Sequence, residues 1–391
     1  MKVLFLTDSL SDLDGVGRYG VRLIAKLEEH CSDEDPLQVS VLLARKHRPT
    51  SADVPEHWQV DVGLPPDYFF YMARLRFWVW FVLGTWRSYR AARHVDIVHA
   101  IKDYPHNAVA LAAARLARKP CIATAHGTYT IQPLVSTRHG SRARRTYAGF
   151  ARMISVSNYT RRWLMKLCTE SGTTLNSVQV IPNAVAAEHY LQPRELEAPA
   201  WRAHPFTLGI GEVKERKGHH LALEAWCRVA RSRPELHHYI VGKRSADEYE
   251  QRLLAMVRSA GVEERVHFLG NITEDEKIDL LQRALVFLHT PITAADGGFE
   301  GFGIVYLEAS AAGTPAIGTL DSGAEDAIVD GETGRLVEQN VDAVEASLAE
   351  FLDDGALRER TGAAGRSHAR ACSWDDNARR VLEIYREVLK A

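Results

Sequence analysis

Cysteine is scarce in this 391-residue chain: Cys31, Cys121, Cys168, Cys227 and Cys372 are odd in number, scattered, and never spaced as C-x-x-C. That argues against a disulfide framework and a zinc site, and fits a reducing cytoplasm. Long apolar runs are missing too. The longest, Phe77-Trp78-Val79-Trp80-Phe81-Val82-Leu83-Gly84, falls far short of the roughly 20 residues that cross a bilayer. The first run, ending at Leu6 just before Asp8, is too short for a signal peptide and reads as a buried strand. Nor does either charge dominate. With 48 basic and 50 acidic side chains the formal net charge is -2, so no global field attracts nucleic acid, and an anionic ligand must meet a local basic site.

What is present is ordinary for a globular protein. The chain is 46% hydrophobic and 25% charged, which excludes disorder, and its length suggests two or three domains at roughly 150 residues each. Short β-rich apolar runs alternate with longer helical patterns, as where parallel strands are joined by helical crossovers. One set of strands is expected at 3–7, 39–43, 96–99, 121–124, 153–156 and 178–181. A second is expected at 206–210, 238–241, 266–269, 286–289, 316–318 and 335–337. Between them Pro182, Pro193, Pro199 and Pro205 mark a linker. The expected domains are residues 1–190 and 191–372, with a last helix over 373–391 that could return to the first domain. Each domain would be a doubly wound α/β sheet binding ligands at the carboxyl ends of its strands, and two such sheets facing one another would enclose a cleft.

Two motifs carry less than they promise. Gly15-Val16-Gly17-Arg18-Tyr19-Gly20 matches the dinucleotide fingerprint, but a polar loop separates it from the first strand. The second strand also ends in Ala44-Arg45-Lys46 without the acidic residue that holds a ribose. An NAD(P) oxidoreductase is therefore disfavoured, while glycines that let backbone amides approach an anion at a helix N-terminus remain useful. Asp12-Leu13-Asp14 resembles a metal-binding carboxylate pair, yet such pairs are more often turn or cap residues. No metal and no cofactor are expected.

The chemistry is concentrated in Gly298-Phe299-Glu300-Gly301-Phe302-Gly303-Ile304-Val305-Tyr306-Leu307-Glu308. Two carboxylates flank a glycine-rich loop that opens a helix. Amides at Gly301 to Ile304 suit a phosphate, and the carboxylates suit hydroxyl groups. Taken alone, the pattern is better explained as a capped helix with a surface glutamate at each end, because cap and turn chemistry is common.

This segment resembles the E-x7-E signature of retaining glycosyltransferases of family 4, the group 1 transferases with the two-domain GT-B fold. Further matches run in order along the chain: Asp14-Gly15-Val16-Gly17-Arg18-Tyr19, Thr124-Ala125-His126-Gly127, Ser155-Val156-Ser157, Ile181-Pro182-Asn183-Ala184, Glu215-Arg216-Lys217-Gly218, Gly313-Thr314-Pro315, Gly323-Ala324-Glu325 and Gly331-Glu332-Thr333-Gly334. The resemblance implies metal-independent transfer of a sugar from a nucleotide diphosphate (UDP- or GDP-sugar) donor, with retention, in the synthesis of a polysaccharide or glycolipid. The first domain would then bind acceptor and the second the nucleotide sugar. It assigns the ribose to Glu308, sugar hydroxyls to Glu300, the sugar and diphosphate to the amides of Gly301, Phe302, Gly303 and Ile304, and the leaving diphosphate to Lys217. Gly15 and Gly17 would approach the same phosphates, and His126 would contact the donor sugar near the reacting carbon. One departure stands out: where relatives carry Gly-Arg five residues before the lysine, this chain has Gly211-Glu212. Either Lys214 or Arg216 supplies the missing charge, with Arg216 preferred, or Glu212 turns away.

Two segments bear on a glycan or lipid-linked acceptor. Arg74 to Arg87 combines aromatics with arginines at both ends, as at a membrane interface; alternatively it is a core helix, apolar because buried, which the shortness of the run favours. Arg138, Arg142, Arg144 and Arg145 would form a basic loop for a phosphorylated acceptor, or simply a solvated face. No aromatics interleave with these arginines, so nucleic acid is not an expected partner. The protein is expected in the cytoplasm, with peripheral contact at the inner face of the membrane as its nearest approach to lipid. A phosphorylase, a nucleotide-sugar epimerase and a catalytically inactive sugar-nucleotide binder are the rival readings.

Overall fold

The computed structural model describes residues 1–390 except 12, 13, 33, 46, 52, 198, 295 and 296. The chain divides into two compact units, Met1–Asn183 with Trp374–Ala391, and Ala184–Ser373. The first runs β1 (Lys2–Thr7), α1 (Gly15–Glu29), β2 (Gln38–Ala44), β3 (Gln59–Leu64), α2 (Arg74–Ala92), β4 (Ile97–Ala100), α3 (His106–Ala117), β5 (Cys121–Ala125), α4 (Thr128–Val135), α5 (Gly140–Tyr147), β6 (Arg152–Ser155), α6 (Asn158–Glu170) and β7 (Val178–Val180). The second runs β8 (Phe206–Ile210), α7 (His219–Val229), β9 (His237–Val241), α8 (Glu248–Ala260), β10 (Val266–Gly270), α9 (Glu274–Arg283), β11 (Val286–Leu288), α10 (Ile304–Ala312), β12 (Ala316–Thr319), β13 (Gly334–Val337), α11 (Val341–Asp353) and α12 (Gly355–Ala371), after which α13 (Trp374–Lys390) joins the first unit.

The two sheets are ordered β3-β2-β1-β4-β5-β6-β7 and β10-β9-β8-β11-β12-β13, and every strand pair is parallel. Both follow the doubly wound order, in which the chain reverses direction across the sheet between the first and fourth strands. Central strands such as β1, β4, β5 and β8 are buried nearly throughout. That is why they read as continuous apolar runs rather than as alternation. β3 is the strand the sequence does not announce. It lies at the sheet edge with Gln59, Asp61 and Val62 exposed, so its composition follows solvent on one side.

Three expectations about organisation change. The chain leaves the first unit at Asn183/Ala184, not at residue 190, because the proline-bearing segment straps onto the second unit. Tyr190 is buried and its backbone carbonyl accepts from Gln282 at 2.7 Å, while Trp201 donates to Asp279 at 2.8 Å. α2 is not a core helix apolar because buried. Its inward residues are Phe77, Gly84, Thr85, Ser88 and Ala92, whereas Leu75, Val82 and Trp86 are 78%, 63% and 54% exposed. Residues 140–147 form helix α5 rather than a loop.

α13 carries apolar residues at helical spacing, with Trp374, Ala378, Val381, Leu382, Tyr385 and Val388 buried. Each large one contributes about 1.5–3 kcal/mol on burial. Its anchor is polar: His99 on β4 is hydrogen-bonded through Nδ1 to the Tyr385 hydroxyl at 2.7 Å and through Nε2 to Thr124 at 2.8 Å. Burial lowers the His99 pKa to about 3. An unfolded chain binds that proton below about pH 6.5. The stabilisation is therefore complete above pH 6.5 and is lost as pH falls toward 3, at up to about 1.4 kcal/mol per pH unit. Thermal melts between pH 7 and pH 5 are expected to show a falling midpoint, and His99→Gln to show a shallower fall.

Candidate functional site

In the second unit the crossing point lies between β8 and β11, and the ionisable side chains gather there. Just beyond β8, Gly211 leaves room for Lys217, whose Cδ would lie 3.3 Å from a Cβ at that position. Lys217 closes a short turn, Glu215–Lys217. Gly218 then takes φ +67°, and a side chain there would strike the Thr290 carbonyl oxygen at 1.7 Å; only glycine lets this turn sit on the segment after β11. The lysine ammonium pairs with the Glu300 carboxylate. His289 Nε2 lies 3.6 Å and Arg216 Nη1 4.0 Å from the same carboxylate oxygen. Burial alone would raise the Glu300 pKa; the Lys217 charge, with His289 and Arg216, outweighs it and holds the carboxyl well below its usual range.

Two helices begin beside this cluster. α10 starts at Ile304 behind Gly303, and α7 starts at His219 behind Gly218. Neither has a side-chain cap nor an acidic residue in its first turn. The helix dipole favours an anion at each end, although in α7 the His220 amide already donates to the Tyr249 hydroxyl at 3.1 Å and in α10 the Tyr306 amide donates to the Gly303 carbonyl at 3.0 Å. The loop from Glu300 to Gly303 is pinned from below: the Gly323 amide donates to the Glu300 carbonyl at 2.8 Å, and Phe302 is buried. Glu308 sits on α10 itself, 1% exposed, and is 3.2 Å from Lys277 Nζ. Lys277 also pairs with Glu274 at 2.8 Å and reaches the Tyr190 hydroxyl at 3.2 Å. Glu212 is neutralised by Lys214 at 2.8 Å, which leaves Arg216 as the second cation beside Lys217.

The first unit repeats the logic between β1 and β4. Asp8 follows β1, Lys102 and Asp103 follow β4, and Asp8 pairs with Lys102. His126 follows β5, its backbone amide donating to Asp103 at 3.4 Å and its ring edge-on to Tyr19 at 4.9 Å. Its Nε2 is shielded from solvent and has no hydrogen-bond partner. Burial, reinforced by the Lys102 charge, lowers its pKa to about 4, so at neutral pH the imidazole is uncharged and suited to a hydroxyl. Burial raises the Asp103 pKa to about 7 despite the Thr130 hydroxyl on it.

Other expected residues go elsewhere. The Gly17 amide donates to Asp14 at 2.7 Å, an N-cap held in turn by Ser9 at 2.7 Å; this amide is already occupied. Gly15 has no atom within 4 Å of a would-be Cβ. Arg138 lies over Phe77, and Arg142 over Phe77 and Trp78. Arg144 donates to the Leu134 carbonyl and Arg145 to that of Ser141, so the four arginines form no single anion cradle. Asp12 lies outside the described residues, and among those described no group of three His, Cys, Asp or Glu side chains could hold a metal. Sequence reasoning missed His289, Lys277, Lys102 and Asp103. Their common signal, for three of the four, is position at or just after the end of a strand next to the crossing point.

The chain is similar to known proteins over most of its length. The family profile described as glycosyl transferases group 1 matches residues 198–368, and that of glycosyltransferase family 4 matches residues 13–189. A phosphatidyl-myo-inositol mannosyltransferase from Mycobacterium leprae is 30% identical over 348 residues, 87% of each chain. A GDP-mannose-dependent monoacylated alpha-(1-6)-phosphatidylinositol monomannoside mannosyltransferase from Corynebacterium glutamicum is 36% identical over 173 residues, 43% of this chain and 44% of that one. Among solved structures, Anabaena HepE in complex with UDP and glucose superposes with a TM-score of 0.77 at 18% identity, covering 99% of this chain and 100% of that one.

The glycines can be told apart by substitution. A Cβ on Gly323 would lie 2.3 Å from the Gly301 and Phe302 backbone, so Gly323→Ala is expected to shift the loop and cost about 1–3 kcal/mol in chemical denaturation. Gly15→Ala is expected to stay within about 0.5 kcal/mol of wild type.

Proposed function

This chain belongs to the group 1, family 4 glycosyltransferases of the GT-B fold, and from that premise we propose that it transfers a hexose, with retention and without a metal, from a nucleotide diphosphate sugar to a lipid-linked or glycan acceptor. The carrying observation is the cluster at the β8/β11 crossing point, where two cations, a deprotonated carboxylate and two helix N-termini with glycine at the N-cap meet. The cations and amides suit a diphosphate, and the carboxylate suits sugar hydroxyls. In this reading the second unit takes the nucleotide sugar and the first the acceptor.

Lys217 and Arg216 stabilise the negative charge that grows on the diphosphate as its bond to the anomeric carbon breaks. Without ligand Glu300 offsets part of that positive charge; with donor bound, phosphate oxygens take over the cations and Glu300 is released to accept hydroxyl hydrogen bonds. Amides from Gly301 to Ile304 hold the sugar and phosphate, Glu308 with Lys277 the nucleoside, and neutral His126 a hydroxyl near the reacting carbon. Protonation of His126 is too weak for it to serve as a general base at neutral pH, so the acceptor proton passes to the leaving phosphate. GDP-mannose is the first donor to try and a phosphoinositide the first acceptor, given the mannosyltransferases to which the chain is similar.

A panel of UDP-, GDP- and ADP-sugars, with and without chelator, tests the reading. Turnover is expected with one nucleotide class, unchanged by chelator. Glu300→Ala and Lys217→Ala should each lower it by about a hundredfold or more while circular dichroism stays native. Wild-type rates in either variant, or no hydrolysis or transfer from any donor, would refute it.

A further inference from the structure

α2 is polarised the wrong way round for a helix of a water-surrounded domain. Gly84, Thr85, Ser88 and Ala92 face inward with Phe77, and Gly84 is held so closely that a Cβ there would lie 2.8 Å from Pro65 Cδ. The opposite side carries Leu75, Trp78, Val79, Val82, Leu83 and Trp86, all exposed, Leu75 at 78% and Val82 at 63%. Their spacing of three and four places them along one stripe about 16 Å long. With Tyr68 and Tyr71 just before the helix, this stretch holds eight of the fifteen large hydrophobic side chains exposed among the described residues. A patch so concentrated is a docking surface rather than the usual scatter.

Charge identifies the occupant. α2 contains no acidic residue, and Arg74, Arg76, Arg87 and Arg90 all stand exposed on it. On the neighbouring helix Arg142 lies 4.5 Å from the Trp78 ring centroid, so cations border the stripe on that side also. Asp67, in the preceding turn, is already paired with His47. A second copy of this chain docking through a two-fold axis would bring the same arginines against their own images with no carboxylate on either helix to meet them. Tryptophans on an apolar stripe rimmed by arginine instead match the interface of a bilayer bearing anionic headgroups.

We propose that α2 is a membrane-docking helix, lying in the plane of an anionic phospholipid surface with Leu75, Val79, Val82 and Trp86 in the acyl boundary and the arginines at the phosphates. No helix among the described residues is long and apolar enough to cross a membrane, so the attachment is to one leaflet. The proposal goes beyond the transfer reaction and rests on none of the residues assigned to it.

Flotation of the whole protein with vesicles of phosphatidylcholine alone, or mixed equally with phosphatidylglycerol, tests it. The expected result is binding to the anionic vesicles at least about tenfold tighter than to the neutral ones, weakened by salt. The double variant Val79→Asp/Val82→Asp, at exposed positions and folded by circular dichroism, is expected to lose that binding. The fourfold variant Arg74→Gln/Arg76→Gln/Arg87→Gln/Arg90→Gln is expected to lose the preference for phosphatidylglycerol. Failure of the wild type to float with either vesicle, or undiminished binding by the aspartate variant, overturns the proposal. So does a dimer in sedimentation equilibrium that the aspartate substitutions dissociate, which would assign the stripe to a second copy.

Discussion

The carboxyl end of the second sheet is organised by an ion pair that water barely reaches. Lys217 and Glu300 come from different loops, one after β8 and one before α10, and their side chains are only 15% and 11% exposed. Each charge alone would be costly at that depth, since removal from water is compensated only by the partner. The pair therefore fixes where both loops end, and it depends on glycines that allow backbone to come close: Gly218 over the Thr290 carbonyl, and Gly323 under Gly301. Charge, loop path and helix N-termini are one construction. An anion entering it would exchange one set of charge-assisted contacts for another rather than create a charged site afresh.

The two sheets solve the placement problem in the same way. Both wind outward in two directions from a central pair of strands, and at that split the loops diverge and leave side chains converging. The contents differ. The second unit holds an excess of cations and helix amides, while the first holds balanced Asp8 and Lys102, an Asp103 whose pKa burial lifts to about 7, and a neutral His126. One suits a strongly charged ligand and the other a hydroxylated one, as the proposed reaction would use them.

Much of this was legible in the chain itself. Buried parallel strands appear as uninterrupted apolar runs, and twelve of the thirteen strands lie where such runs occur. β3 escaped because an edge strand with Asp61 and Gly63 looks like a turn. Glu300, Lys217 and His126 were found by motif, whereas His289 and Asp103 gain meaning only once strand order shows that β11 and β4 flank the crossing points. α2 misled in a different manner. Apolar content measures how much oily surface a helix has, not which side its neighbours cover. The clue was the row Gly84, Ser88, Ala92, small residues at every fourth position, which marks the side that packs closely. The proline-rich stretch after Pro182 likewise looked like a spacer, although Trp201 and Tyr190 within it are core residues of the unit that follows.

The chain crosses between its units twice, at Asn183/Ala184 and again at Ser373/Trp374, and beside those crossings the Val185 amide donates to the Cys372 carbonyl at 3.0 Å. During synthesis, the first unit emerges first but lacks α13, and the β4 and α1 surfaces that this helix will cover stay bare while the whole second unit is being made. The second unit is contiguous and can close on its own. The order of completion is thus the reverse of the order of translation, and the oldest part of the polypeptide is the one most in need of protection on the ribosome.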